Sequence, residues 1–355
     1  MDVIDRPTTV RQGEDLNLKA VESFLKGALP GLSGEIAVEQ FPSGYSNLTY
    51  LLKVGETELV LRRPPFGTKA KSAHDMGREY RILTALHPVF PYCPKPLAYT
   101  EDESVLGCPF YVMERIRGII LRKALPKGFE LTAGQMRRLC ENLLDVHCQL
   151  HAIDYQAVGL GGFGKPEGYV KRQVEGWSGR YRAARTPDAP TCEAVMEWLR
   201  NKMPADSPRP TMVHNDYKFD NVVLDPRDAL KIIGVLDWEM ATLGDPLMDL
   251  GNSLAYWIQA DDPPDLQVAR MLPTNLPGAL SRDEMVRRYA EKTGVAVDNF
   301  DFYLCFGQFR LAVIIQQIYY RFYHGQTKDS RFKPLIQFVH VLERAANRIV
   351  EESGL

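Results

Sequence analysis

The chain has 355 residues, 45% of them hydrophobic, and its 43 basic and 45 acidic side chains leave a formal charge of −2. That length supplies core for two or three ordinary domains, and the even charge balance leaves no general electrostatic case for nucleic acid or an anionic membrane as partner. Six cysteines, at 93, 108, 140, 148, 192 and 305, include no CxxC pair, which argues against a zinc knuckle or disulfide ladder and for reduced core residues.

The first residues, MDVIDRPTTVRQGEDLN, are polar and mixed in charge, unlike a signal peptide, and no window of eighteen uninterrupted apolar residues follows. A cytoplasmic location is expected. From Ile36 to about Tyr99 the pattern GEIAVEQF, NLTYLLKV, ETELVLRRP is strand-like and predicts an antiparallel meander. The turn Pro42-Ser43-Gly44-Tyr45-Ser46-Asn47 suits closure over phosphates through backbone N–H groups and the Ser46 and Asn47 side chains, although an ordinary hairpin turn reads the same way. A helix is predicted over Ala73 to Leu86, then Pro-rich YCPKPLAY leads to a last strand in CPFYVMERI that ends near Gly118.

Beyond Gly118 the apolar period becomes helical: Thr132 to Ile153, Cys192 to Met203, Ser281 to Lys292 with a Ser281/Glu284 capping box, Phe302 to His324, and Pro334 to Glu352. Gly159 to Gly164 spells GxGxxG but follows a helix and meets Lys165-Pro166, so it reads as a loop rather than a dinucleotide site. His147 and His151 share a helix face, yet the glutamate of HExxH is missing, and packing is the expected role. A zinc hydrolase built on that pair is a further alternative, which metal analysis would test.

Inside the helical part lies a β island: MVHNDY, NVVLD and LKIIGVLDW, with a turn at Asp225-Pro226-Arg227-Asp228. An antiparallel hairpin about that turn makes Asn221 and Asp237 neighbours. An amide oxygen with a carboxylate suits Mg²⁺, a hard cation that keeps phosphate oxygens and water in its remaining positions. Asp216 is placed to orient a substrate hydroxyl and accept its proton, and Lys218 to set its ammonium against a moving phosphoryl group.

The run His214-Asn215-Asp216-Tyr217-Lys218-Phe219-Asp220-Asn221, followed by a hairpin and an apolar strand ending in Asp237, resembles the catalytic loop and metal strand of the protein-kinase-like superfamily. HNDYKFDN and VLDWEMATLGDPLMDLG are similar to the aminoglycoside phosphotransferase and choline kinase branch, with Asp-Trp-Glu in place of Asp-Phe-Gly. The resemblance implies an α+β, bilobal protein-kinase-like fold: an N-terminal antiparallel sheet lobe with helices (1–116, nucleotide-binding) and a mostly helical C-terminal lobe carrying the short β island (117–355, catalytic and substrate-binding).

It further implies Asp216 as base, Asn221 and Asp237 as magnesium ligands, His214 as a support of the loop, and Asp249 as an anchor that hydrogen-bonds the loop from the next helix. Arginine stands where kinases carry their phosphate-binding lysine; Arg62 is the expected replacement, with Arg63 the fallback, and Glu79 its ion-pair partner. Backbone groups near Glu114 and Ile116 would take the adenine edge, with Met113 behind the ring. Trp177, Tyr181, Trp238 and Glu239 are the expected acceptor contacts.

GYSNLTYLL, VLRRPPFG, HDMGREYRIL and GYVKRQVEGW resemble the kinase-like domain fused to acyl-CoA dehydrogenases in some animals and free-standing in bacteria. The implied activity is ATP-dependent, Mg²⁺-dependent phosphorylation of a hydroxyl on a small molecule, a hydroxyacyl-CoA or hydroxy acid. The alternatives are an aminoglycoside or amino-alcohol kinase, and a nucleotide-binding pseudokinase without turnover. No nucleic acid or membrane partner is expected, and oligomeric state is not encoded in any of these patterns.

Overall fold

The first element is a helix that the periodicity did not announce. In a computed structural model describing residues 3–42, 47–65, 75–327 and 329–355, α1 (Leu18–Ala28) begins where the Asn17 side chain accepts the Ala20 N–H, and it buries Val21 and Leu25. It is followed by β1 (Ile36–Gln40), β2 (Leu48–Val54), β3 (Thr57–Arg63), α2 (Met76–Leu86), β4 (Pro96–Thr100), α3 (Glu103–Leu106) and β5 (Phe110–Glu114). The strands form one antiparallel sheet in the order β1-β2-β3-β5-β4. The expected meander holds through β3, but the Pro-rich YCPKPLAY is itself a strand: Pro96 opens an edge strand, where its missing N–H breaks no ladder bond. Alternation sets the chemistry of β3, whose Leu59 and Leu61 pack with Leu48, Tyr50, Leu52, Phe110 and Val112 under α1, so that Arg62 points to the opposite face.

Along the helical part come α4 (Ala133–His151), α5 (Tyr169–Ala184), α6 (Glu193–Asn201), β6 (Thr211–Val213), the hairpin β7 (Val222–Asp225) and β8 (Asp228–Val235), β9 (Thr242–Gly244), α7 (Pro246–Ala255), α8 (Pro264–Ala269), α9 (Arg282–Thr293), α10 (Phe300–Tyr323) and α11 (Leu335–Glu352). The capping box of Ser281 with Glu284 is present, and Thr132 with Gln135 forms a second one at α4. The hairpin turns at Pro226-Arg227, where the Asp225 side chain accepts the Arg227 N–H at 2.8 Å.

The chain divides into two compact units: Met1–Ile120 with Val158–Leu160 and Asn221–Met240, and Leu121–Ala157 with Gly161–Asp220 and Ala241–Leu355. The β7–β8 hairpin joins the first because Ile119 and Leu224 exchange backbone bonds of 3.0 and 2.8 Å and the Val235 N–H reaches the Tyr92 carbonyl at 2.8 Å. Within the second unit, α7 and α10 cross with their backbones in contact: a Cβ added at Gly251 would lie 2.3 Å from the Tyr303 carbonyl oxygen, and one at Gly307 2.3 Å from that of Gly251. No helix among the described residues is long and apolar enough to cross a membrane.

Candidate active site

In the first unit, Arg62 is the organising cation. Its side chain is 8% exposed, and its Nη2 lies 2.8 Å from Asp237 Oδ1 and 3.7 Å from Glu239 Oε2, while Nε lies 3.6 Å from Glu79 Oε1. Burial opposes the charge, but the attraction of Glu79 and then Asp237 holds the guanidinium pKa well above its usual value; burial raises that of Glu79, against the pull of Arg62. Arg63, next along the strand, faces the other way and donates to the Pro64 carbonyl at 3.2 Å. Asn47 Nδ2 donates to Glu239 Oε2 at 2.6 Å, so the last residue of the expected phosphate loop is tied to the Asp-Trp-Glu segment. Ser46 lies outside the described residues.

The hairpin brings the two expected metal ligands together. Val222 pairs with Val235, and the next N–H along, that of Leu236, donates to the Asn221 carbonyl at 2.8 Å. Asp237 follows with φ 66°, a left-handed conformation that costs a non-glycine residue about 1–2 kcal/mol and that clusters at functional sites. Two buried atoms here, Arg62 Nε and Glu79 Oε2, have no hydrogen-bond partner among the described residues.

At the expected adenine position, Met113 is buried, and the Glu114 N–H is committed to the Lys95 carbonyl at 2.9 Å. Trp238 corrects an expectation: it is 1% exposed, its Nε1 donates to the Val235 carbonyl at 2.9 Å, and its indole meets Phe90 edge-on, so it is core and not an acceptor contact.

In the second unit, Asp249 on α7 holds the loop that carries Asp216. Its Oδ2 accepts the His214 N–H at 2.7 Å and its Oδ1 that of Asn215 at 2.6 Å; His147 and His151 each place Nε2 3.1 Å from Oδ2. The carboxylate is fully buried; its desolvation is outweighed by the histidine hydrogen bonds, which keep its pKa well below the usual range. Burial, then repulsion from His151, lowers His147 to about 4, so the His147 ring acts as a neutral donor. The His147–His151–Asp249 ligand atoms lie within 4.8 Å of one another. The oxygen that would face an ion already serves both rings and a backbone N–H, so the pair packs beneath the loop as expected. Asp245 caps α7, accepting the Leu247 and Met248 N–H groups at 2.7 and 3.3 Å.

Asn215 is also left-handed, with φ 64°. Beyond it the Asp216 N–H donates to His214 Nδ1 at 3.2 Å, and the Asp216 carboxylate meets Lys218 Nζ at 2.5 Å. Lys218 also lies 3.5 Å from Asp220 and 5.0 Å over the Tyr256 ring. Burial pulls its pKa down, but Asp216 and Asp220 together leave it raised. Lys218 is therefore clamped onto Asp216, a closer relation than the sequence implied. Tyr181 corrects a second expectation: it is fully buried and donates to the Pro190 carbonyl at 2.6 Å, so it supports the α5 core. Trp177 stays near the surface of that core at 6% exposure, with Arg180 and Arg310 over its ring. Arg310 and Tyr256 escaped the sequence reading; the one available signal was a lone arginine inside the apolar run of α10.

A model of the phosphotransferase enzyme family matches residues 37–277. The chain is 37% identical over 324 residues to acyl-CoA dehydrogenase family member 10 of Mus musculus, covering 90% of this chain and 30% of that protein, and 33% identical over 319 residues to human acyl-CoA dehydrogenase family member 11, covering 88% and 40%. It thus spans less than half the length of these relatives. A solved Ralstonia eutropha protein assigned to the aminoglycoside phosphotransferases aligns over 94% of this chain and 99% of its own at 30% identity, with a TM-score of 0.76. Choline kinase from Cryptosporidium parvum aligns over 94% and 97% at 13% identity, with a TM-score of 0.64, which speaks for the fold alone.

Proposed function

The chain belongs to the phosphotransferase enzyme family, and we propose that it transfers the terminal phosphoryl group of ATP to a hydroxyl of a small molecule, a hydroxy acid or hydroxyacyl-CoA, with Mg²⁺ as the ion. The observation that carries this reading is Arg62 of β3 held between Glu79 and Asp237, the latter just past the hairpin that also positions Asn221. A buried guanidinium whose Nε is ion-paired with Glu79 but makes no hydrogen bond fits a phosphate oxygen, and its fork of donors supplies what lysine supplies in kinases. Ser46 and Asn47 would close over the same phosphates, with Met113 and the backbone of Glu114 and Ile116 about the adenine, so residues 1–116 form the nucleotide lobe and 117–355 the catalytic and acceptor lobe.

Asn221 and Asp237 are oxygen donors, and the Asp237 side chain is 30% exposed; this set fits Mg²⁺. When bound, the ion neutralises phosphate charge. Asp216 orients the acceptor hydroxyl and takes its proton, while Lys218 fixes the carboxylate and balances charge on the moving group. The names of the curated relatives favour an acyl acceptor, and six free cysteines support a reducing, cytoplasmic setting.

The test is acceptor-dependent ADP release by purified protein with ATP and Mg²⁺, across hydroxy acids, hydroxyacyl-CoAs, amino alcohols and aminoglycosides. Asp216→Ala is expected to lower that rate roughly 10²- to 10⁴-fold. An unchanged rate sinks the assignment of Asp216, and nucleotide binding with no turnover in any arm replaces the enzyme reading with a non-catalytic one.

A further inference from the structure

Arg310 is a charged residue of the second unit that the roles above leave without a task. It stands in the middle of α10 at 3% exposure, and among the described residues no carboxylate pairs with it and no hydrogen bond reaches it. What it faces is the Trp177 indole, whose centroid lies 5.1 Å from the guanidinium carbon; Arg180 lies over the same ring at 4.5 Å. The indole is held in place by a 3.1 Å bond from its Nε1 to Gln173 Oε1. The neighbouring arginines are accounted for locally: Arg172 by the Lys165 and Glu167 carbonyls, Arg182 by Glu193 at 2.6 and 3.0 Å.

A buried cation without a counter-charge is expensive, and stacking on an aromatic face offsets only part of that cost. Two cations on one indole also repel: burial first, then Arg310, lowers the Arg180 pKa. A fold that tolerates this arrangement is prepared for an anion. The position is informative too. Arg310 acts electrostatically on Tyr256, whose ring carries Lys218, and on Tyr169, whose hydroxyl bonds Asn215 Oδ1 at 3.3 Å. Both tyrosines therefore touch the loop that presents Asp216.

We propose that Arg310 and Arg180, stacked on Trp177, bind an oxyanion of the phosphoryl acceptor, a carboxylate or a phosphate, so that the acceptor is an anionic hydroxy compound and not a cationic amino alcohol or aminoglycoside. The identification of the bound molecule as acceptor rests on the phosphotransferase reading; the anion site itself does not. Guanidinium groups suit the task because their forked donors match the geometry of carboxylate and phosphate oxygens.

Calorimetric titration of the full chain without nucleotide decides it, with 4-hydroxybutyrate, its neutral amide and inorganic phosphate as probes. The wild type is expected to bind at least one of the two anions and to bind the amide at least roughly tenfold more weakly than 4-hydroxybutyrate, while Arg310→Met lowers the anion affinity roughly 10- to 100-fold. The stronger of the two anion arms names the source of the oxyanion. Should Arg310→Met fail to fold by circular dichroism, Arg180→Met, at an exposed position, must by itself weaken anion binding severalfold. Binding of acid and amide with equal affinity, no binding of either anion at millimolar concentration, or unchanged anion affinity in the arginine variants overturns the proposal. Because the titration needs no nucleotide, anion binding by a wild type that shows no acceptor-dependent turnover would sink the phosphotransfer reading alone.

Discussion

Replacing Asp249 with asparagine keeps its shape and removes one acceptor oxygen and the charge. The carboxylate accepts the His214 and Asn215 N–H groups at 2.7 and 2.6 Å and both histidine Nε2 atoms at 3.1 Å. An amide turned with its oxygen toward His214 and the rings opposes its own NH₂ to the Asn215 N–H; turned the other way it opposes the His214 N–H. Either way one buried backbone donor is orphaned, and the surviving bonds lose charge assistance, so Asp249→Asn is expected to destabilise by about 2–4 kcal/mol. Urea unfolding followed by tryptophan fluorescence reads this as a lower midpoint at unchanged slope. Turnover should fall more than ATP affinity, because Asp249 acts through the Asp216 loop. An unfolding free energy within about 0.5 kcal/mol of wild type would refute the four-bond account of this residue.

Arg62→Met leaves Glu79, Asp237 and Glu239 facing one another around an apolar side chain, and should cost about 3–5 kcal/mol in the same unfolding assay; wild-type stability would mean that the three carboxylates are not held by this cation. His147 makes an acid-side prediction. Its folded pKa, about 4, lies below the ordinary 6.5, so between these values the unfolded chain binds the extra proton and stability falls as pH drops through that window, by roughly 3 kcal/mol in all. His147→Gln should flatten that slope in denaturation curves taken from pH 7 to pH 4, and an equally steep variant would assign the loss to other groups.

The Asp216 loop and the hairpin were legible because their order is local: strand alternation, an Asp-Pro turn and antiparallel pairing are enough to place Asn221 beside the strand that ends in Asp237. Arg62 was named by the resemblance, with Arg63 left open beside it, and alternation along β3 turns the two to opposite faces. Helix α5 was not legible, because Gly176, Gly179 and several arginines dilute its apolar stripe, although Val170, Val174, Trp177 and Tyr181 keep helical spacing and are buried. Trp238 was misread because its position beside Asp237 suggested a cleft, whereas Phe90, a partner distant in sequence, closes over it. Arg310 could not be interpreted from sequence because its meaning depends on which side chains from α5 and α7 surround it.

The crossing at Gly251 and Gly307 has a consequence for how acceptors are measured. Asp249 lies two residues before one glycine and Arg310 three residues after the other, so the spacing between the loop anchor and the guanidinium is set by main chain resting on main chain. Such a contact cannot be retuned by trading one side chain for another of different size. On the proposed acceptor reading, the span from reacting hydroxyl to anionic end is a fixed gauge, and relatives that take longer or shorter molecules would have to change the side chains at either end of it while keeping both glycines.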